Sequence, residues 1–116
     1  MQASLSNTIQ YDDFLKVDIR SGTILDATLN PKANKPAYIL TIDFGDLGIK
    51  TSSAQITENY QAAELIGRQI VAVTNFPSKR IAGIASEVLV LACISPINGT
   101  VLLQPTQPVP AGSRVL

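Results

Sequence analysis

The chain holds few side chains able to do covalent chemistry, and none has the neighbours that catalysis requires. Histidine is absent from all 116 residues, which removes the commonest general base, the Ser–His and Cys–His nucleophile pairs and most metal sites. Ser78 and Lys79 are adjacent, and a serine–lysine dyad is chemically feasible, yet neighbours on a loop ordinarily serve only as loop residues. Cys93 is the single cysteine. Between Leu91 and Ile94 it reads as a small buried hydrophobe, and one thiol makes neither an intramolecular disulfide nor a zinc site. Glu87 opens an apolar run directly after Ser86 and reads as an acceptor for backbone amides or an arginine rather than as a catalytic acid. No glycine-rich phosphate loop or dinucleotide turn occurs. The expectation is a non-enzyme with no catalytic residue, no metal and no cofactor.

The residues that could hold a ligand are basic. Lys32 and Lys35 lie in Asn30-Pro31-Lys32-Ala33-Asn34-Lys35-Pro36, Lys50 lies in Ile49-Lys50-Thr51-Ser52-Ser53-Ala54, and Lys79 and Arg80 follow Phe76-Pro77-Ser78. Their arrangement depends on the elements that carry them.

Tyr11 to Leu15 can form a helical turn, with Asp12 and Asp13 favoured near its start. From Val17 the pattern is extended, Val17 and Ile19 alternating with Asp18 and Arg20. After Gly22 the apolar pair Ile24-Leu25 breaks the parity, which predicts a bulge or bend near the glycine. Residues 30–36 are a loop by composition. A second strand runs through Tyr38, Leu40, Ile42 and Phe44, and Gly45-Asp46-Leu47-Gly48 turns the chain into a third, Ile49 to Ala54. Thr57 is a plausible N-cap for a short helix towards Leu65, stopped by Gly67; Tyr60-Gln61-Ala62 can equally be a break between two turns. A fourth strand, Gln69 to Asn75, and a fifth, Glu87 to Ile94, flank a loop from Phe76 to Ser86. Asn98-Gly99 signals a hairpin, and Pro105, Pro108 and Pro110 keep the tail extended and out of any central strand.

Three strands, a short helix, two strands and an added C-terminal hairpin describe an all-β fold, a five-stranded OB-fold Greek-key barrel. Such barrels bind ligands on the face of strands 2 and 3 and with the loops joining strands 1–2 and 4–5. Lys32, Lys35, Lys50, Lys79 and Arg80 all fall on those elements, and neither loop contains a carboxylate. This is the charge footprint of a nucleic-acid site, or else an ordinary solvated face. Tyr38 and Phe76 stand where they could stack on a base or serve as core and rim packing.

The rest of the composition sets bounds. One domain fits this length, with residues 1–10 as a flexible leader and 11–116 as the folded unit. Nine basic residues balance nine acidic ones, so any attraction to nucleic acid must come from charge placement rather than net charge. There is no signal-peptide pattern and no apolar run of the ~20 residues that span a bilayer; a lone cysteine suits a reducing compartment. The expected address is cytoplasmic, without membrane insertion. Ile97, Val101, Leu102, Leu103, Val109 and Val115 are too many apolar residues for an exposed appendage, so the C-terminal hairpin and tail are expected to form a homodimer interface.

Two long stretches carry a resemblance. Phe14-Leu15-Lys16-Val17-Asp18-Ile19-Arg20-Ser21-Gly22-Thr23-Ile24 and Asn75-Phe76-Pro77-Ser78-Lys79-Arg80-Ile81-Ala82-Gly83-Ile84-Ala85-Ser86-Glu87 resemble the tRNA-binding domain family, which includes the C-terminal appendix of bacterial methionyl-tRNA synthetases. Ile42-Asp43-Phe44-Gly45 and Gly48-Ile49-Lys50-Thr51-Ser52-Ser53-Ala54-Gln55-Ile56-Thr57 are similar to its CsaA-type branch of export-related chaperones. The resemblance implies an OB core, a homodimer and binding of tRNA or another structured RNA on the basic face. It adds Lys50, Ser52, Ser53, Gln55, Lys79, Arg80, Ser86 and Glu87 as candidate contacts. The branch implies an alternative partner class, unfolded or presecretory polypeptides and the export machinery. Synthetase-type members tend to carry His-Pro-x-Ala-Asp-Lys-Leu in the first loop; here asparagines, Asn30 and Asn34, replace the histidine and the aspartate, which favours the CsaA-type branch.

Overall fold

The computed structural model describes residues 7–116. Of the leader expected over 1–10, residues 7–10 are exposed and irregular, and the rest lie outside the described residues. Helix α1 (Tyr11–Leu15) forms the expected turn, with the Asp13 carboxylate accepting the Gln10 N–H at 2.9 Å.

The main sheet contains β1 (Ile19–Leu29), β2 (Tyr38–Asp43), β3 (Ile49–Ala54), β4 (Gln69–Val73) and β7 (Leu89–Val90), ordered β3-β2-β1-β4-β7 and antiparallel throughout. Strand β1 belongs to two partners. Its first half, Ile19–Thr23, pairs with β4, and its second half, from Thr23 to Leu29, pairs with β2. The bend between them has two parts. Leu25 is an extra residue between Ile24 and Asp26 in the β1–β2 register, so Ile24 and Ala27 both reach the core while Leu25 is exposed. Gly22 is the close approach rather than the bulge, because a Cβ there would lie 2.6 Å from Ile42 and from Phe44. The core that results is built on Ile24, Leu40, Ile42, Phe44, Leu65 and Ile70, all fully buried.

The barrel closes between β3 and the chain entering β7 by a seam of mixed bonds. The Glu87 N–H donates to the Thr51 carbonyl at 2.8 Å, the Glu87 carboxylate accepts the Thr51 N–H at 3.0 Å, and the Ser86 hydroxyl accepts the Ser53 N–H at 3.1 Å. Side chains thus satisfy edge amides that a regular ladder would otherwise pair. The five-stranded barrel expected from the sequence is present and nearly closed.

Several boundaries differ. The helix α2 is only Ala62–Leu65 and is preceded by Gln61, not Thr57. The Glu64 carboxylate accepts the Gln61 N–H at 2.8 Å and fixes the start there, while Asn59 in the preceding turn donates to the carbonyls of Asn98 and Thr100. Gly67 ends the helix as expected, at a φ of +86°, and its N–H joins the Ile24 carbonyl at 2.7 Å.

The fifth strand is not continuous from Glu87 to Ile94. After β7 the chain leaves β4, and β8 (Ala92–Ser95) pairs with β9 (Gly99–Leu102) in a separate two-stranded sheet. The Asn98-Gly99 turn offers β8 this local antiparallel partner, with Gly99 at a φ of +74°. On that separate ribbon Cys93 is exposed, contrary to the buried position expected. The segment from Phe76 to Ser86 is likewise no simple loop. It contains a hairpin, β5 (Lys79–Ile81) with β6 (Ile84–Ser86). The tail runs beside the first half of β1, Ser21 exchanging bonds with Gly112 and Ser113 at 2.8 Å each.

Candidate nucleic-acid interface

The β5–β6 hairpin turns through Ala82 and Gly83 at φ values of +47° and +86°, the paired left-handed residues of a two-residue type I′ connection. Alanine in that region costs about 1 kcal/mol, so the turn needs support from its surroundings. At its base the Thr51 hydroxyl donates to the Ala85 carbonyl at 2.6 Å, beside the Ser86–Ser53 bond. At its tip the Asn30 amide donates to the Ala82 carbonyl at 3.2 Å, and the Lys32 side chain crosses Gly83, its Nζ 3.5 Å from where a Cβ would stand. The loop joining β1 and β2 therefore meets the hairpin directly.

Lys32 lies over the tip of the hairpin whose β5 strand carries Lys79 and Arg80, and all three are exposed. None of them lies within ion-pair distance of a carboxylate among the described residues. Of the three, Lys79 lines a cleft of 260 Å³ together with Phe76, Pro77, Ile81, Glu87 and Leu89, with Ser86 and Val88 at its wall. Phe76 is 54% exposed and shares the cleft with Lys79, an aromatic beside a cation, the combination that holds single-stranded nucleic acid.

The other sequence-derived candidates distribute differently. Lys35 is exposed farther along the first loop. Lys50 pairs with Ile42 in the β2–β3 register and so shares the core-facing side of β3, half-buried at the barrel's end. Ser52 is 1% exposed, with its hydroxyl 3.2 Å from the Val88 carbonyl. It holds the seam and presents nothing to a surface ligand. Ser86 is also buried, and with Glu87 it satisfies amides of β3, the acceptor role read for Glu87 from the sequence. Tyr38 is a core residue whose hydroxyl donates to the Tyr60 carbonyl at 2.7 Å, so it is no stacking platform. Ser53 and Gln55 line a second groove with Ile56, Leu89, Ala92 and Ile94. Leu89 borders both hollows, so they adjoin.

Sequence reasoning missed Asn30, Thr51 and the Ala82-Gly83 turn. An asparagine before Pro31 was visible as a loop residue, but its partner stands 52 positions away.

Of the residues expected at a dimer interface, Leu102 is withdrawn into the barrel core and only 8% exposed. Its N–H donates to the Tyr60 hydroxyl at 3.0 Å, which draws the end of β9 inward. Leu103, Val109 and Val115 line an apolar groove with Val71 and Pro105. Ile97 is 90% exposed and Val101 37% exposed on the β8–β9 ribbon, beside Ile94 at 78%.

A family model described as a putative tRNA-binding domain matches residues 19–114, from the first residue of β1 into the tail. The chain belongs to this family. A methionine–tRNA ligase of Porphyromonas gingivalis is 35% identical over 113 residues, 97% of this chain. One from Methanococcoides burtonii is 33% identical over 107. This tRNA-binding domain spans only 16% of the length of either ligase. Among solved structures, the chaperone CsaA of Bacillus anthracis superimposes with a TM-score of 0.90 at 49% identity, covering 95% of this chain and 100% of that one. The CsaA chaperone of Picrophilus torridus gives 0.88 at 49% identity, covering 94% and 100%. The CsaA-type resemblance and the OB-type barrel read from the sequence both stand on these matches. Among the described residues, no helix is long and apolar enough to cross a membrane.

Proposed function

We propose that this chain is a non-catalytic, homodimeric module of the CsaA type that binds tRNA or another structured RNA in the cytoplasm. The observation that carries the reading is that Lys32 lies over the tip of the hairpin that bears Lys79 and Arg80, none of the three with a carboxylate partner among the described residues, and that Lys79 shares a cleft with the exposed Phe76. Phosphates would be neutralised by the three cations, while an unstacked base lies against Phe76. Membership of a tRNA-binding domain family supports the ligand class. Homodimerisation is supported by the apolar residues left exposed on the β8–β9 ribbon and along the tail, more than a solitary small domain usually leaves uncovered.

Titration with tRNA at several salt concentrations tests the reading. Three phosphate contacts on single-stranded RNA give a slope of log K against log salt of about −2 per subunit, and five give about −3.5. Absence of saturable binding at low salt would remove RNA as the ligand.

A second reading has its own observation. The groove beneath Ile56, Leu89, Ala92 and Ile94 is mainly apolar, and both 49%-identical structures are of proteins called chaperones. An unfolded polypeptide held there would use side-chain burial rather than charge. Suppression of a client's aggregation without nucleotide, retained at high salt, would support it.

A further inference from the structure

We infer that Asn30 is the positioning residue of the basic face, a single amide that locks the β1–β2 loop to the tip of the β5–β6 hairpin and so presets the spacing of Lys32 against Lys79 and Arg80. The consequence for RNA rests on the function proposed above; the lock itself does not.

The hairpin has only three residues in each strand and, among the described residues, is in ladder with no other strand, and an isolated two-stranded hairpin is marginal in water. Its base is tied to β3 through Ala85 and Ser86. Its tip carries the two left-handed residues, and there Asn30 reaches in from outside the hairpin to bond the Ala82 carbonyl. The same side chain also acts inward. Asn30 Oδ1 accepts the Lys32 N–H at 3.0 Å, while its backbone N–H closes the loop on the Ala37 carbonyl at 2.9 Å.

Asn30 is only 7% exposed, and both of its amide bonds are partly buried. One end of the amide shapes the loop that presents Lys32, and the other end holds the turn over which Lys32 lies. Neither alanine nor aspartate can do both. Alanine has no polar group, and an ionised carboxylate accepts hydrogen bonds but has none to donate to the Ala82 carbonyl.

The test has two arms on the full chain. In hydrogen exchange, Asn30→Ala should raise exchange across residues 79–86 and 30–36. Asn30→Asp should raise it across 79–86 while leaving the Lys32 amide protected. Unchanged exchange across 79–86 in both variants would overturn the lock, whatever RNA does.

In tRNA binding at 0.1 M salt, Asn30→Ala should weaken affinity about tenfold in the wild-type background but about twofold or less when Lys32→Ala is already present, the non-additivity expected of residues that act as a unit. Equal fold losses in the two backgrounds would overturn the claim that Asn30 acts through Lys32. If the wild type binds no tRNA, the function proposed above fails, and the exchange arm alone decides for or against the lock.

Discussion

Glu87 and Thr51 are joined by a reciprocal pair of hydrogen bonds. The Glu87 N–H donates to the Thr51 carbonyl at 2.8 Å, and Glu87 Oε1 accepts the Thr51 N–H at 3.0 Å. The Thr51 hydroxyl extends the bracket to Ala85 at 2.6 Å, so one threonine on β3 receives the end of the basic hairpin and the start of the closing strand together. The acidic side chain beside the cationic cleft therefore has a structural task, which explains a carboxylate at the edge of a face suited to an anionic ligand.

Glu87→Ala should destabilise the fold by about 2 kcal/mol, because it removes a charge-assisted acceptor and leaves the Thr51 amide unmatched. Glu87→Gln keeps an acceptor oxygen and should cost less than half as much. Denaturant unfolding of the three proteins checks this ordering. Equal losses would mean that the bond contributes nothing specific.

Gly22→Ala should be more damaging than its chemistry suggests. The added methyl would meet Ile42 and Phe44 at 2.6 Å, where the first strand bends tightly across the core, and overpacking of this kind costs about 1–3 kcal/mol. A thermal melt should show a clear fall in Tm; an unchanged Tm would mean that the bend relaxes freely.

What could be read in advance follows from the range of the interactions. The start of β1 and all of β2 were legible from a period of two, β3 from the turn before it and β4 from its density of apolar residues, and Gly67 and Asn98-Gly99 announced their turns by residue type. The β5–β6 hairpin was hidden because Ala82-Gly83 lacks the Asn-Gly signature, and the hydrogen bond that reaches its turn comes from Asn30, 52 positions away. The break between β7 and β8 was hidden because Val90, Leu91 and Ala92 are uniformly apolar, and only the choice of partner separates them. Within the site, Lys32, Lys79 and Arg80 were legible from loop composition. Ser52 and Ser86 were placed on the ligand face, and Tyr38 was left open between stacking and packing, because sequence alone does not reveal which hydroxyls are satisfied by carbonyls and amides distant along the chain.

The neighbours Leu102 and Leu103 should separate folding from assembly. Leu102 is buried in the core and Leu103 borders the outer groove. Leu102→Ala should cost about 2–5 kcal/mol of stability, as for other buried leucines. Leu103→Asp with Val115→Asp should leave the fold near wild-type stability and shift the protein to monomer in sedimentation. A double variant that remains a dimer would move the interface to the ribbon carrying Ile94, Ile97 and Val101.

Replacing Lys79 and Arg80 together with alanine should change RNA binding in a way that a folding defect would not imitate. Both side chains are exposed and lie on the hairpin rather than in the core, so the melt should be nearly unaffected. Loss of two phosphate contacts on single-stranded RNA should make the salt slope less steep by about 1.4 units. Affinity for unrelated RNAs should fall by similar factors, because phosphate contacts position a ligand and carry little sequence information. Phe76→Ala should do the converse, weakening binding with little change in slope, because a stacked base contributes without releasing counterions. Ser52→Ala serves as the internal control: its buried hydroxyl should affect stability and leave the slope alone. If the Lys79 and Arg80 double variant keeps the wild-type slope, the RNA lies on another surface, and the convergence of Lys32 with the hairpin is a feature of the fold alone.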